Sequence, residues 1–144
     1  MDRDEQPVLQ LGDLIVEQNA DAIIYSNRQG MIERWNAAAT AMFGYTAREA
    51  LGQSLDLIIP EHLRAVHWRG FEAAMASGTT RLHGRPTLTR AQHKSGSRLY
   101  VEMSFALVAD AAGAVLGAVV IVRDVTERME RERVLAKDTA QGKP

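Results

Sequence analysis

A chain of 144 residues, 46% hydrophobic and 24% charged, has the balance of a single soluble globular domain long enough to bury a core. Its 17 basic and 18 acidic side chains leave a net charge of −1, which provides no broad electrostatic footprint for nucleic acid or an anionic membrane. The absence of cysteine removes disulfides, thiolate metal sites, iron–sulfur clusters and thiol nucleophiles together.

Residues 1–7 are charged, carry no apolar leader core, and read as a disordered lead. Val8, Leu11, Leu14 and Ile15 recur at helical spacing and predict an amphipathic helix over 8–18, whose stripe needs another surface. The core is expected over 19–124. Ala22–Ser26 predicts a strand, Asn27–Gly30 a turn, and Met31–Trp35 the return strand of a hairpin. Asn36 and Gly44 are suited to cap a helix over Ala37–Phe43, and Thr46–Glu49 form a capping box closed by Gly52.

Leu55–Ile59 predicts a further turn or short helix. Pro60 opens a helix over about 60–76 that Ser77-Gly78 ends. Three longer strands follow, Arg81–Gln92, Arg98–Val108 and Ala114–Arg123. In the second, Leu99, Val101, Met103, Phe105 and Leu107 alternate onto one face. Two strands, short helices and three strands predict an α+β fold, a five-stranded antiparallel sheet with helices on one face. A charged helix over 125–137, with a Glu127/Arg131 pair and an Asp124/Arg128 pair at i,i+4, leads to a tail over 138–144. The longest apolar run, Ala114–Val122, is broken by Gly117 and falls short of the about 20 residues that span a membrane. The chain is therefore expected to be cytoplasmic, with neither membrane nor nucleic acid as partner.

Several segments, in this order and spacing, resemble PAS sensor domains: Asn19–Ile24, Gly30–Ala39, Phe43–Gly52, Ile58–Glu61, Lys94–Gly96 and Val122–Arg128. The resemblance covers roughly Leu11–Val134. It implies a PAS fold, a sensory or interaction role without catalysis, a homodimer, and a downstream signalling protein or effector domain. Ile59-Pro60-Glu61 followed by His67 is similar to the haem-binding PAS domain of rhizobial oxygen-sensor kinases, where a histidine seven residues after the proline holds the iron. That resemblance implies a b-type haem on His67, with Leu63, Gly70, Leu82, Thr87, Val101, Met103, Phe105 and Ile121 lining the pocket. Thr87 stands where those sensors carry a distal arginine, and Phe105 where they have a smaller aliphatic residue.

The residues themselves leave alternatives open. Leu63, His67, Gly70 and Ala74 share a helix face, which suits either an imidazole aimed at a haem or a half-wet histidine at a helix edge. Trp68 is expected to cover a cofactor edge or to pack on a partner or the N-terminal helix, and Trp35 to plug the core. Arg85 and Arg90 could pair a haem carboxylate or lie solvated on a strand edge. His62, His83 and His93 read as surface residues. No nucleophile elbow, phosphate-cradling loop or paired catalytic carboxylates occur. Besides a haem sensor, the chain could be a haem-free dimerisation module, or a small-metabolite receptor lined by Tyr25, Thr87, Met103 and Phe105.

Overall fold

The structure, a computed structural model, describes residues 10–141; the lead over 1–7, Val8 and the last three tail residues lie outside the described residues. Strands β1 (Ala22–Asn27), β2 (Ile32–Trp35), β3 (Thr87–Gln92), β4 (Arg98–Ala109) and β5 (Val115–Asp124) form one antiparallel sheet in the order β2-β1-β5-β4-β3. The fold is α+β. Helices α1 (Leu11–Gln18), α2 (Ala37–Phe43), α3 (Ala47–Ala50), α4 (Arg64–Ser77) and α5 (Thr126–Gln141) complete it, with short 3₁₀ turns at Leu55–Ile58 and Glu61–Leu63.

Period-2 alternation decides which face each strand buries. Ala22 and Ile24 of β1, Val101 of β4, and Ala118, Val120 and Val122 of β5 enter a core shared with Ile32, Phe43 and Phe71. Trp35 plugs this core, its indole N–H donating to Thr40 Oγ1 at 3.0 Å and to the Tyr45 carbonyl at 3.1 Å. At Gly117 a Cβ would stand 2.0 Å from the Ser26 carbonyl oxygen, so β1 and β5 approach too closely for any side chain there.

The caps form as the sequence dictates. The Asn36 side chain accepts from Ala39 N, Gly44 ends α2 with φ 85°, and Thr46 and Glu49 exchange both bonds of a capping box. Asn36 also gathers three other segments: its Oδ1 accepts from Ile23 N at 2.9 Å, and its Nδ2 donates to the carbonyls of Val16 at 2.8 Å and Asp21 at 3.0 Å. The root of α5 is clasped to β4. The Thr126 hydroxyl accepts from Tyr100 N at 2.9 Å, and Val125 N donates to Tyr100 O at 2.9 Å.

Several expected elements differ in extent; the helix expected over 8–18 begins at Leu11, with Gln10 extended as its N-cap. The strand expected from Arg81 begins only at Thr87, because the chain turns at Thr80–Arg85. His83 and Gly84 take positive φ there, and Pro86 has no N–H for a ladder. The helix expected from Pro60 starts as a 3₁₀ turn and becomes α-helical at Arg64. Finally, α5 runs on to Gln141 through the segment expected to be tail, since no breaker interrupts it before Gly142. Within it Arg131 pairs with Glu127 at 3.2 Å, whereas Asp124 accepts from Thr126 N instead of pairing with Arg128.

Candidate functional site

A cleft of about 640 Å³ opens between α4, the turn after it, and the inner face of β3 and β4. Its volume lies within the range of small-molecule sites, roughly 300–1,000 Å³. His67 lines it from the middle of α4, with Phe71 and Ala74 on the same stripe and Gly70 leaving one side of that stripe bare. Met103 and Phe105 face them from β4, and Phe105 meets Phe71 edge-on at 6.4 Å. At the other end stand Thr79, Thr80, Arg81 and Arg85, and no carboxylate lines the cleft among the described residues.

His67 is half-buried, and its Nδ1 is shut from solvent without a hydrogen-bond partner. Its ring lies 4.6 Å from the Trp68 indole, edge-on, and 5.9 Å from Phe71. Burial among these rings lowers its pKa below the ordinary histidine value, while the Asp56 carboxylate offsets part of that shift. The neutral imidazole is therefore the favoured form near neutral pH, and it is the form that can ligate a metal.

Of the pocket residues expected from the sequence, His67, Gly70, Leu82, Thr87, Met103 and Phe105 line this cleft together. Three do not. Leu63 sits in the 3₁₀ turn, whose tighter winding takes it off the α4 stripe, and it lines a separate depression with Leu88, Tyr100 and Met129. Val101 is fully buried in the core. Ile121 is 39% exposed on the outer face of β5, opposite Ile23 and Ser104, because Val120 and Val122 take the inward positions.

Tyr25, expected in a metabolite pocket, also falls on the outer face and packs against Gly117. Arg85 reaches the cleft, whereas Arg90 lies over the Tyr100 ring at 5.9 Å. Trp68 does not line the cleft: it donates to Asp56 Oδ1 at 2.8 Å and closes over Gly30. Phe71 and Arg81 were missed as lining residues. Phe71 was readable as the i+4 neighbour of His67; Arg81 was hidden by its assignment to a strand.

An antiparallel sheet and a long helix enclosing a cleft of this size define an α+β domain with room for a small molecule. The PAS domain family matches residues 20–127, and the chain belongs to that family. It is 26% identical over 117 residues to the oxygen sensor protein DosP of Escherichia coli (strain K12), a match covering 81% of this chain and 14% of DosP. It is 29% identical over 129 residues to the signal transduction histidine-protein kinase AtoS of the same organism, covering 88% of this chain and 20% of AtoS. The chain thus spans a small fraction of the length of these curated relatives. A PAS domain from Colwellia psychrerythraea superposes with a TM-score of 0.70 at 23% identity, covering 80% of this chain and 94% of that one. The chain is a PAS sensory signalling domain. No described helix is long and apolar enough to cross a membrane.

Proposed function

We propose that this domain binds b-type haem through His67 and senses a diatomic gas or a redox state, without catalysis of its own. The observation that carries the reading is the half-buried imidazole of His67 on a predominantly apolar cleft of about 640 Å³. The residues fit the group: Phe71, Met103 and Phe105 offer apolar walls, and Arg81 and Arg85 stand at the rim for carboxylates. Haem would supply an iron that binds a gas or changes oxidation state. The chain's own residues hold the imidazole neutral and restrict water. Similarity to a protein named as an oxygen sensor supports the reading. The signal is proposed to pass to an effector domain or partner protein through a homodimer made by α1, with α5 leaving beside its twin.

The test is titration of the purified protein with haemin, read by absorption. Wild type, His62→Ala and His83→Ala should bind one equivalent and show a Soret band, and His67→Ala should not. Unchanged uptake by His67→Ala overturns the assignment. A wild type that takes up no haem leaves the cleft, by its volume and its arginine-bearing rim, to a small apolar carboxylate.

A further inference from the structure

His67 raises a problem of orientation. A metal-ligating histidine ordinarily fixes its ring by donating its other N–H to a carboxylate, a carbonyl or water. Here Nδ1 has no such partner, so no hydrogen bond holds the ring plane. What meets the ring is Trp68, edge-on at 4.6 Å with the planes 76° apart, and Phe71 at 5.9 Å.

Trp68 is itself held at three points. Its Nε1 donates to Asp56 Oδ1 at 2.8 Å. Its six-membered ring presses on Gly30, where a Cβ would stand 2.2 Å from Cη2. Its other flank meets Phe71 edge-on at 5.1 Å. Asp56 is secured in turn: the Arg64 guanidinium donates to the Asp56 carbonyl at 3.2 Å and the Ile59 carbonyl at 2.9 Å, and its Nε lies 3.8 Å from the carboxylate.

We propose that Trp68, anchored by Asp56 and seated on Gly30, is the positioning residue that sets the ring plane of His67 toward the cleft. The assignment rests on the reading of His67 as the ligand, but it concerns a contact present before any ligand arrives. An aromatic edge replaces the hydrogen bond that would otherwise orient the imidazole. This also accounts for a glycine at position 30 beyond its turn, because a Cβ there would overlap the indole and dislodge it.

The test has one arm without haem and one with it. In the haem-free protein, the nuclear Overhauser contacts between the His67 and Phe71 rings, whose centroids lie 5.9 Å apart, should be lost in Trp68→Leu and partly kept in Trp68→Phe, which keeps an aromatic edge. Asp56→Asn, which still accepts from the indole, should retain the wild-type ring environment better than Asp56→Ala. In the haem-loaded protein, Trp68→Leu should weaken haem affinity about 10–100-fold and shift the iron–histidine stretching band, with Trp68→Phe between it and wild type. Unchanged His67–Phe71 ring contacts in folded Trp68→Leu overturn the proposal, as does an unchanged iron–histidine band. If the wild type takes up no haem while Trp68→Leu loses the His67–Phe71 ring contacts, the haem reading fails and the positioning role stands. Should Trp68→Leu not fold, Trp68→Phe and Asp56→Ala give the same decision: His67–Phe71 ring contacts identical to wild type in both overturn it.

Discussion

The side-chain amide of Asn36 donates to the main-chain carbonyl of Val16 at 2.8 Å, joining the end of α1 to the start of α2 across 20 residues. The same side chain satisfies Ile23 N, Ala39 N and the Asp21 carbonyl, so one almost wholly buried amide uses all four of its bonding positions. Asn36→Ala would strand several of these groups, at about 1–3 kcal/mol for each that water cannot reach. We expect a loss of about 3 kcal/mol in urea unfolding, and faster amide exchange in α1 than in the sheet. A loss under about 1 kcal/mol would show that the junction tolerates its absence.

His67 carries a stability signature without any cofactor. Its folded-state pKa is lowered, chiefly by burial, with Asp56 opposing. Above the unfolded value of about 6.5 the ring is neutral in both states and contributes nothing to pH dependence. As pH falls through that value toward the folded one, the unfolded chain takes up the proton first, so folding loses stability across that window. His67→Leu removes both the orphaned Nδ1 and this proton uptake. The apo variant should be at least as stable as wild type at pH 7 and should lose less stability between pH 7 and pH 5. Denaturant midpoints across that range decide it; parallel curves for the two proteins would refute the account.

Thr87 lines the cleft from β3, at the position where the resembling oxygen sensors carry an arginine. A hydroxyl offers only a neutral donor where a guanidinium offers a charge-assisted one. The haem-loaded protein should therefore favour carbon monoxide and nitric oxide over oxygen and oxidise quickly in air, and Thr87→Arg should raise oxygen affinity. Gas titrations followed by absorption check this. A wild-type oxygen affinity above that for carbon monoxide would contradict it.

Leu11 and Ile15 of α1 are 71% and 56% exposed, an apolar stripe left open on the domain. Burying each aliphatic side chain contributes about 1.5–3 kcal/mol before ordering and association costs, a driving force toward pairing through this helix. Leu11→Glu with Leu14→Glu should give a folded monomer, whereas wild type should sediment as a dimer. A monomeric wild type at high micromolar concentration, or a dimeric double variant, would count against α1 as the interface.

What the sequence disclosed follows from local physics. The alternation of Leu99 to Leu107, the capping box at Thr46 and the Asn36 cap each act within one element, and each forms as read. Ile121 was misassigned because Val119 to Val122 is an unbroken apolar run, and without alternation its phase comes only from pairing with β1 and β4. Arg81–Pro86 looked continuous with β3 because the positive φ at His83 is invisible in residue type. The position of Trp68 depends on Gly30 and Asp56, 38 and 12 residues away in sequence; no periodicity within α4 encodes it.

The clasp at Tyr100 gives α5 a mechanical character. Tyr100 lies on β4 only three residues from Met103, which lines the cleft, so the fixed end of α5 and the ligand wall belong to one strand. From Thr126 the helix runs 16 residues, and residues 131–140 are exposed throughout. At 1.5 Å per residue it is a lever arm about 24 Å long, so a tilt of about 10° at its pivot sweeps the far end through about 4 Å. A displacement of β4 too small to disturb the sheet's pairing would thereby be magnified at the tip to nearly the rise of a helical turn.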